Sequence, residues 1–444
     1  MTSAIPTVFR PVRAWWAVGL LLVAYASAFI DRQVLALLVD PIKADLGIVH
    51  DWQISLLQGL AFTGTYIAFG PLFGRWADRG TRRNILLFAA LLWSICTMLC
   101  GLATGFWSLF LARAGVGAAE AALSPVAWTF IADSFPREQL PRALSVYLLG
   151  AYLGQGLALL GGGAALGAVQ SGAVAGLPII GALPTWGATF VLVGLPGLIT
   201  AALLLTLREP VRGAFNPSPG LAADAARNYT LREVLGFLWA RRAFFGPFFG
   251  GMSLLVLSLY GMPAWLPTSL SRTFGLDRVI GARWYGGWVL VAGCVGVLSG
   301  PWLGSRLQAR GYRDAMVRVG VIAAMLLVPA CLVLAFAPSA PVAIGAGAFA
   351  ALCYSLPQAM AAGALQVIVP ERMRGQVVVV YVFLLTLVGF AVAPTLIALV
   401  TDYVFADPTR VGQSIGLVCG TAAAIAAAWM SRALKPFRDW QAAP

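Results

Sequence analysis

The chain alternates long apolar runs with short polar segments from end to end. A helix of about 20 apolar residues crosses the hydrocarbon core of a bilayer, and the sequence contains twelve runs of that order. The predicted membrane spans cover residues 14–38, 53–76, 84–104, 107–133, 141–165, 186–207, 244–270, 283–304, 316–337, 341–369, 376–400 and 412–432. The pattern predicts an all-α membrane protein with twelve transmembrane helices.

The composition excludes an ordinary soluble domain. Of 444 residues, 60% are hydrophobic and only 11% are charged, which is far from the balance of soluble proteins. The formal net charge of +13 does not indicate a nucleic-acid partner, because arginines between membrane spans are explained by topology. The six cysteines fall in apolar runs without zinc-ligand spacing, so we expect buried thiols and neither a metal nor a cofactor.

The basic residues predict the orientation of the chain. With the N-terminus inside the cell, most of the 30 lysines and arginines fall in segments that this topology makes cytoplasmic, in agreement with the positive-inside rule. Both termini are then cytoplasmic. We expect an integral, multi-pass protein of the bacterial inner membrane, surrounded by lipid.

The longest polar connection follows the sixth span and divides the chain into two halves. Residues 208–243 contain several prolines and end in an amphipathic stretch, which predicts a cytoplasmic linker with a short surface helix. Residues 1–207 and 244–444 are then two six-helix bundles. We expect the protein to act as a monomer.

Four charged residues are predicted to lie within the membrane. Span four carries Arg113 and Glu120, and span one carries Asp31 and Arg32. Seven residues are about two helical turns, so Arg113 and Glu120 share one face and lie about 10 Å apart along the axis. Each such charge costs about 2.5–3.5 kcal/mol on insertion scales, so these side chains must face one another or water.

These charges are candidates for coupling transport to protons. Asp31 and Arg113 are predicted to form an ion pair in the outer half of the bilayer, with Glu120 deeper. A buried carboxylate that loses its cation takes up a proton, which makes Asp31 and Glu120 the proton-coupling candidates. Arg113 and Arg32 are candidates for binding an anionic substrate. The alternative is that the arginines only snorkel outward and Asp31 neutralises one of them.

The second half contributes no charge to the middle of the membrane. Its polar candidates near mid-depth are Tyr260, Tyr354 and Gln358, each of which could equally serve ordinary packing between helices. A cavity with one charged wall and one apolar wall suits an amphipathic anion better than a sugar. Tyr260, Tyr354 and Gln358 are therefore the predicted substrate contacts of this half.

The loop between spans two and three has a specific pattern of glycine, acid and arginines. It contains Gly74, Asp78, Arg79, Arg82 and Arg83. Gly74 would let two helices approach closely, and Asp78 could sit at a helix N-terminus and pair with the arginines, forming a conformational latch. The alternative is a set of basic residues that anchor the loop to anionic lipid.

The equivalent loop of the second half looks like a degraded copy of this pattern. Ser305 stands where the acid would be, before Arg306 and Arg310. Such an internal repeat is expected of a transporter built from two related halves. The missing acid predicts that the latch is weighted to the N-terminal half.

The combined motifs resemble the Spinster-like branch of the major facilitator superfamily. The resemblance rests on the run from Phe29 to Arg32, the loop from Gly74 to Arg83, and the segment from Ala112 to Ala121 with Ile131 to Asp133. It is clear over spans one to five and weak afterwards. In the loop, Thr81 takes the place of the second glycine of the superfamily's signature.

The resemblance implies a proton-linked carrier of lysolipids or sphingosine-phosphate-like molecules. Asp31 and Glu120 match the family's protonatable acids, and Arg113 matches its intramembrane arginine. The resemblance also implies two six-helix bundles that rock around a substrate site, moving substrate by alternating access.

Three other functions are alternatives to lysolipid transport. The same machinery could move small organic anions or drugs. An enzyme is disfavoured, because the only histidine, His50, lies beside Asp51 in a predicted external loop and no nucleophile, nucleotide or metal motif accompanies it. A receptor that transports nothing would tolerate Glu120→Gln.

Overall fold

The structure is a computed structural model that describes residues 9–136, 139–178, 180–212, 231–370 and 373–442. These residues form helices and connecting turns, without a β-strand among them. Twelve helical segments are long and apolar enough to cross a membrane. The predicted all-α architecture with twelve spans is therefore confirmed.

Nine α-helices are described before the linker. They are α1 (Pro11–Gln33), α2 (Val39–Leu46), α3 (Asp51–Ser55), α4 (Ala61–Arg79), α5 (Arg82–Gly101), α6 (Phe106–Glu120), α7 (Leu123–Ser134), α8 (Leu140–Gln170) and α9 (Thr185–Leu204). A single 3₁₀ turn, Val34–Leu37, follows α1, and a π-helical turn, Leu56–Leu60, precedes α4.

Ten further α-helices are described from the end of the linker onward. They are α10 (Leu231–Ala240), α11 (Arg242–Phe274), α12 (Arg278–Ala309), α13 (Ala315–Ala335), α14 (Ala340–Ser355), α15 (Gln358–Ile368), α16 (Arg374–Thr386), α17 (Ala393–Leu399), α18 (Val411–Ser431) and α19 (Leu434–Ala442). Helix α10 is the predicted surface helix of the linker. Residues 213–230 of that linker lie outside the described part of the chain.

The chain forms two compact units. The first comprises Met1–Val34 and Ala61–Arg227, and the second comprises Leu35–Leu60 and Asn228–Pro444. The predicted boundary placed residues 35–60 in the first bundle, whereas their contacts place them in the second unit. For example, the Thr268 hydroxyl donates a hydrogen bond to the carbonyl oxygen of Ala36 (3.2 Å), and the Trp52 N–H donates one to Asp402 Oδ2 (2.9 Å).

Small residues let the helices of the first unit pack closely. A Cβ atom at Gly154 of α8 would lie 2.8 Å from the Cα atom of Ala26 in α1, and a Cβ atom at Gly117 of α6 would collide with the carbonyl oxygen of Phe62 in α4. Membrane helices depend on such close approaches, because lipid supplies no hydrophobic force between them. These approaches bring α1 against α8 and α6 against α4, and α1 and α6 carry the charged residues.

The fourth span is interrupted next to its acid. Helix α6 ends at Glu120 and α7 begins at Leu123, although the sequence predicted one continuous helix over 107–133. Pro125 explains the interruption, since proline lacks an N–H and its ring crowds the carbonyl group four residues earlier. Arg113 and Glu120 remain together in α6, so the predicted two-turn spacing between them is retained.

Candidate functional site

The first unit brings the four predicted charges into one charge cluster, formed by Asp31, Arg32, Arg113 and Glu120. Asp31 and Arg32 come from the last turns of α1, and Arg113 and Glu120 come from α6. Asp31 is 1% exposed, and Arg113 and Glu120 are 0% exposed. The sequence-based expectation that these charges face one another is therefore met inside the first unit.

The ion pair found in the charge cluster joins Arg32 and Glu120. Arg32 Nη2 lies 2.5 Å from Glu120 Oε2, and Arg32 Nε donates a hydrogen bond to the same oxygen at 2.6 Å. The other carboxylate oxygen, Oε1, is buried without a hydrogen-bond partner among the described residues. One oxygen thus takes both contacts and the second remains open to a further donor.

Arg113 contacts the backbone at the end of α1. Its Nη1 donates a hydrogen bond to the carbonyl oxygen of Asp31 (2.9 Å), and its Nη2 donates one to that of Arg32 (3.5 Å). Carbonyl groups in the last turn of a helix lack intrahelical donors and attract cations. The predicted contact between Arg113 and Asp31 is thus made through a carbonyl oxygen. In the part of the chain that the structure describes, the buried Asp31 Oδ2 has no hydrogen bond.

Aromatic rings surround the Arg32 guanidinium. Its Cζ lies 4.5 Å from the ring centroid of Phe62, 4.8 Å from that of Phe29 and 5.5 Å from that of Tyr66. These distances are within the range of cation–π attraction. Sequence reasoning missed these rings, although Phe29 precedes Arg32 by one helical turn and Phe62 and Tyr66 are spaced to share a face of α4.

The predicted polar residues of the second unit are less clearly grouped. Gln358 Nε2 donates a hydrogen bond to the backbone carbonyl of Tyr354 (3.2 Å), so these two residues are adjacent. Tyr354 is 1% exposed, and no described residue forms a hydrogen bond with its buried hydroxyl. The ring of Tyr260 packs against Phe390, with centroids 3.9 Å apart. Their contact with a substrate stays a prediction.

The predicted latch contains one strongly bound arginine, Arg82. Its side chain is 3% exposed, with Nη1 2.6 Å from Asp133 Oδ2 and Nε 2.8 Å from Glu209 Oε1. Glu209 Oε2 also accepts a hydrogen bond from the backbone N–H of Arg83 (2.9 Å). The acids that hold Arg82 were not predicted, because they follow it by 51 and 127 residues.

Other members of the predicted latch behave differently. A Cβ atom built on Gly74 would meet nothing within 4 Å, so the predicted close helix approach at Gly74 is wrong: within the described residues, this side of α4 faces open space. Arg79 is exposed, and the side chain of Asp78 lies outside the described residues. The latch role of this loop stays a prediction.

The second unit has its own buried acid near the degraded copy of the loop. The Ser305 hydroxyl donates a hydrogen bond to the carbonyl oxygen of Pro301 in its own helix (2.8 Å). The side chain of Asp314 is 0% exposed and accepts hydrogen bonds from Arg318 Nε (2.8 Å) and Nη2 (2.9 Å). Arg438 of α19 lies 3.4 Å from the same carboxylate. The second unit therefore contains an acid–arginine cluster of its own, formed by Asp314, Arg318 and Arg438.

A further ion network lies within the second unit and was missed by sequence reasoning. Arg272 of α11 pairs with Asp40 of α2 (2.7 Å) and with Asp51 of α3 (2.5 Å). Lys43 also lies 2.5 Å from Asp51. The network fastens α2 and α3 to α11, which gives a physical reason why residues 35–60 belong to this unit.

Twelve apolar spans together with a buried cluster of charges define a membrane transporter. The family model of the Major Facilitator Superfamily matches residues 21–394. The chain belongs to this superfamily, as a Spinster-like secondary transporter that works by alternating access. It is an integral, multi-pass membrane protein and not an enzyme.

Two relatives illustrate the similarity in sequence. The chain is 28% identical over 330 residues to an MFS-type efflux pump of Mycolicibacterium smegmatis, with 73% of this chain and 70% of that protein covered. It is also 28% identical over 399 residues to protein spinster homolog 1 of Xenopus tropicalis, with 85% and 70% covered.

Solved structures show the same fold. A bacterial homolog of the human lysosomal transporter Spinster, in an inward-facing and unoccupied conformation, superposes with a TM-score of 0.80 at 23% identity, over 98% of each chain. A D-xylose-proton symporter superposes with a TM-score of 0.69 at 14% identity, over 93% of this chain and 97% of that one. Both likenesses confirm the predicted superfamily fold.

Proposed function

We propose that this transporter couples the movement of an amphipathic anion, a lysophospholipid or sphingosine-phosphate-like molecule, to protons. The observation that carries the proposal is the buried ion pair between Arg32 and Glu120, in which one carboxylate oxygen takes both contacts and the other takes none. A buried ion pair adds little net stability, because desolvation offsets much of the attraction between the charges. Arg32 can therefore give up Glu120 for an anionic head group, and Glu120 can give up Arg32 for a proton.

Opening of the Arg32–Glu120 ion pair links the binding of a proton to the binding of an anion. When Glu120 accepts a proton, Arg32 loses a counter-ion and can bind an anionic head group. When an anion takes Arg32 first, Glu120 is left as a buried charge without its cation, which strongly favours the neutral acid. Anion and proton therefore bind together. Asp31, whose Oδ2 also lacks a hydrogen-bond partner within the described ranges, is the second proposed proton site.

Arg32 suits the head group better than Arg113 does. The Arg113 side chain is fully buried and already donates to two backbone carbonyls. The Arg32 side chain is 8% exposed, and its counter-ion can be neutralised by a proton. We therefore assign head-group binding to Arg32 and the positioning of α1 to Arg113, which changes the role that the sequence suggested for Arg113.

The hydrocarbon part of the substrate fits the aromatic surroundings of Arg32. Phe29, Phe62 and Tyr66 enclose the guanidinium with apolar surface. A ligand that binds the guanidinium can therefore bury its own apolar groups against these rings, which is favourable. Tyr260 and Gln358, both half-buried, and the buried Tyr354 are the proposed substrate contacts of the second unit, considered by itself. We place the carrier in the bacterial inner membrane as a monomer.

Transport of small organic anions or drugs is the second candidate. It is favoured by the relative in Mycolicibacterium smegmatis, which is named an efflux pump. The exchange at Arg32 and Glu120 would serve either substrate, so only the range of anions moved distinguishes the two candidates.

Flux measurements in reconstituted vesicles test the proposal. Wild-type protein is supplied with lysophospholipids, sphingosine phosphate or short carboxylates, with and without a pH gradient. We expect the gradient to drive lysolipid flux, and Glu120→Gln and Asp31→Asn to lose that response. Asp45→Asn, which alters an exposed acid outside the charge cluster, is the matched control and should behave like wild type.

Each outcome has a distinct meaning. Gradient-driven flux that survives in both cluster variants refutes the proton sites. Flux of short carboxylates alone refutes the lipid substrate and supports the second candidate.

A further inference from the structure

Two short amphipathic helices meet at the beginning of α11. Helix α10 precedes α11 directly, and α19 ends the described chain. An aromatic cluster joins the three helices, with Phe245 and Trp440 centroids 6.2 Å apart and Phe244 and Phe437 centroids 5.7 Å apart. Edge-to-face and tilted rings at these distances attract one another. The C-terminal helix is thereby held against the end of the linker.

Two adjacent arginines, Arg241 and Arg242, stack on aromatic rings at this junction. The Cζ of Arg241 lies 4.7 Å from the centroid of Phe237 and 4.2 Å from that of Trp440. The Cζ of Arg242 lies 5.4 Å from the centroid of Trp239, and its Nη1 donates a hydrogen bond to the carbonyl oxygen of that residue (3.3 Å). A guanidinium stacked on a ring keeps its N–H edge free for a planar or phosphate ligand.

The two arginines carry uncompensated positive charge. Both are exposed, and neither forms an ion pair with an acid in the part of the chain that the structure describes. Lys435 of α19 is exposed as well, whereas Arg438 of the same helix lies 3.4 Å from the Asp314 carboxylate. An exposed, fixed pair of guanidinium groups favours a phosphate, which accepts several charge-assisted hydrogen bonds.

Apolar side chains beside the arginines indicate where that phosphate comes from. Trp239 is 71% exposed and Leu235 is 48% exposed, both on α10. Arg242 begins one of the twelve membrane-spanning segments, so the junction lies where that span leaves the bilayer. A helix with exposed tryptophan and leucine beside arginines lies in the interface, with its apolar side chains at the acyl boundary.

We propose that α10 and the start of α11 form a binding surface for an anionic phospholipid. The phosphate of the head group contacts Arg241 and Arg242, and the acyl chains contact Trp239 and Leu235. A soluble phosphate would use the arginines alone, whereas a lipid uses both sets of side chains. The bound lipid holds the linker helix, and through Trp440 the C-terminal helix, at the membrane surface.

The test titrates the full-length protein in detergent with phosphatidylglycerol, phosphatidylcholine or inorganic phosphate. Bound lipids are counted by native mass spectrometry, and the thermal unfolding midpoint is followed in parallel. We expect phosphatidylglycerol to bind and to raise the midpoint. The double variant Arg241→Gln with Arg242→Gln should weaken that binding at least about fivefold, because two charge-assisted contacts are lost. Trp239→Ala should weaken it as well.

The control pair is Arg310→Gln with Arg313→Gln, which removes two exposed arginines elsewhere in the second unit. It should leave phosphatidylglycerol binding within twofold of wild type. Equal weakening by the control pair means diffuse charge attraction and overturns the proposal. Equal binding of phosphatidylcholine, or equal protection by inorganic phosphate, overturns it too. Should the glutamine variant not fold, Arg241→Lys with Arg242→Lys replaces it and should weaken binding through loss of the flat guanidinium fork.

Discussion

Arg32 and Glu120 lie 88 residues apart in sequence, yet two nitrogen atoms of the arginine converge on a single oxygen of the glutamate. The contact uses one carboxylate oxygen only, whereas a bidentate arginine–carboxylate pair would use both. The other oxygen, Oε1, is buried and accepts no hydrogen bond from any residue that the structure describes. This arrangement makes Glu120 the residue whose protonation most directly frees Arg32 for an anion.

Replacing Glu120 by glutamine should uncouple substrate binding from protons. In the wild type, the anion binds together with a proton, so its affinity should fall as the pH rises. In Glu120→Gln the side chain is neutral at every pH, and the affinity should become nearly independent of pH. Calorimetric titrations in buffers of different ionisation enthalpy measure the number of protons taken up. An unchanged proton number in the variant would contradict the assignment of Glu120.

Arg113 and Arg32 should fail in different ways when they are changed. Arg113→Gln leaves the carbonyl groups of Asp31 and Arg32 without their guanidinium donor, at a cost of about 1–3 kcal/mol for each buried group left unsatisfied. Arg32→Gln removes the proposed anion site, so it should lower substrate affinity, and its cost in stability is limited because Glu120 can take up a proton when its cation is lost. Thermal unfolding and ligand binding, measured on both variants, separate these effects. A stable Arg113→Gln protein with weak anion binding would restore the head-group role to Arg113.

Gly117 and Gly74 form a matched pair of helix glycines. Alanine at Gly117 would collide with the carbonyl oxygen of Phe62 and crowd Thr65, whose hydroxyl donates to the carbonyl of Ala114 (2.7 Å). We expect Gly117→Ala to destabilise the protein by about 1–3 kcal/mol, the usual cost of overpacking. Gly74→Ala has open space and should be neutral or gain up to about 1 kcal/mol of helix propensity. Thermal unfolding midpoints in detergent check both, and equal midpoints would mean that α4 and α6 separate easily.

The sequence predicted the spans and the charge cluster for clear physical reasons. A span must satisfy its backbone and bury about 20 apolar residues, which leaves a pattern readable in one dimension. Charges such as Asp31 and Glu120 are costly in lipid, so they had to be gathered inside the protein. Which arginine pairs with Glu120 depends on helix rotation and on the interruption after α6, and neither is set by residue spacing alone.

Contacts between distant segments were beyond the reach of the sequence. Asp133 and Glu209 are two of many acids near span ends, and only the packing of the helices shows that both reach Arg82. In the same way, hydropathy located the first two spans but could not show that Asp51 between them pairs with Arg272. The close helix approach predicted at Gly74 was wrong, because a glycine in a helix permits such an approach without requiring it.

Variants of Arg82 and Arg79 can show whether Arg82 stabilises the fold or acts in a conformational latch. Arg82 is almost fully buried, and its carboxylate partners, Asp133 and Glu209, both belong to the first unit. Removing one partner of a buried ion pair typically lowers the free energy of unfolding by about 3–5 kcal/mol. Because Asp133 and Glu209 are partly exposed, we expect Arg82→Gln to lower it by about 3 kcal/mol or less. Arg79→Gln, at an exposed position, should stay within about 0.5 kcal/mol of wild type.

Unfolding midpoints and the flux per folded molecule, measured on both arginine variants, decide between the two roles. If Arg82 only fastens α5 to its neighbours in the first unit, Arg82→Gln lowers the midpoint while each folded molecule keeps its flux, because no contact made and broken during transport has been removed. If Arg82 is part of a latch, the variant changes the flux per folded molecule, since the relative stability of the conformations that alternate has shifted. The contacts of Arg82 inside one unit lead us to expect the first result.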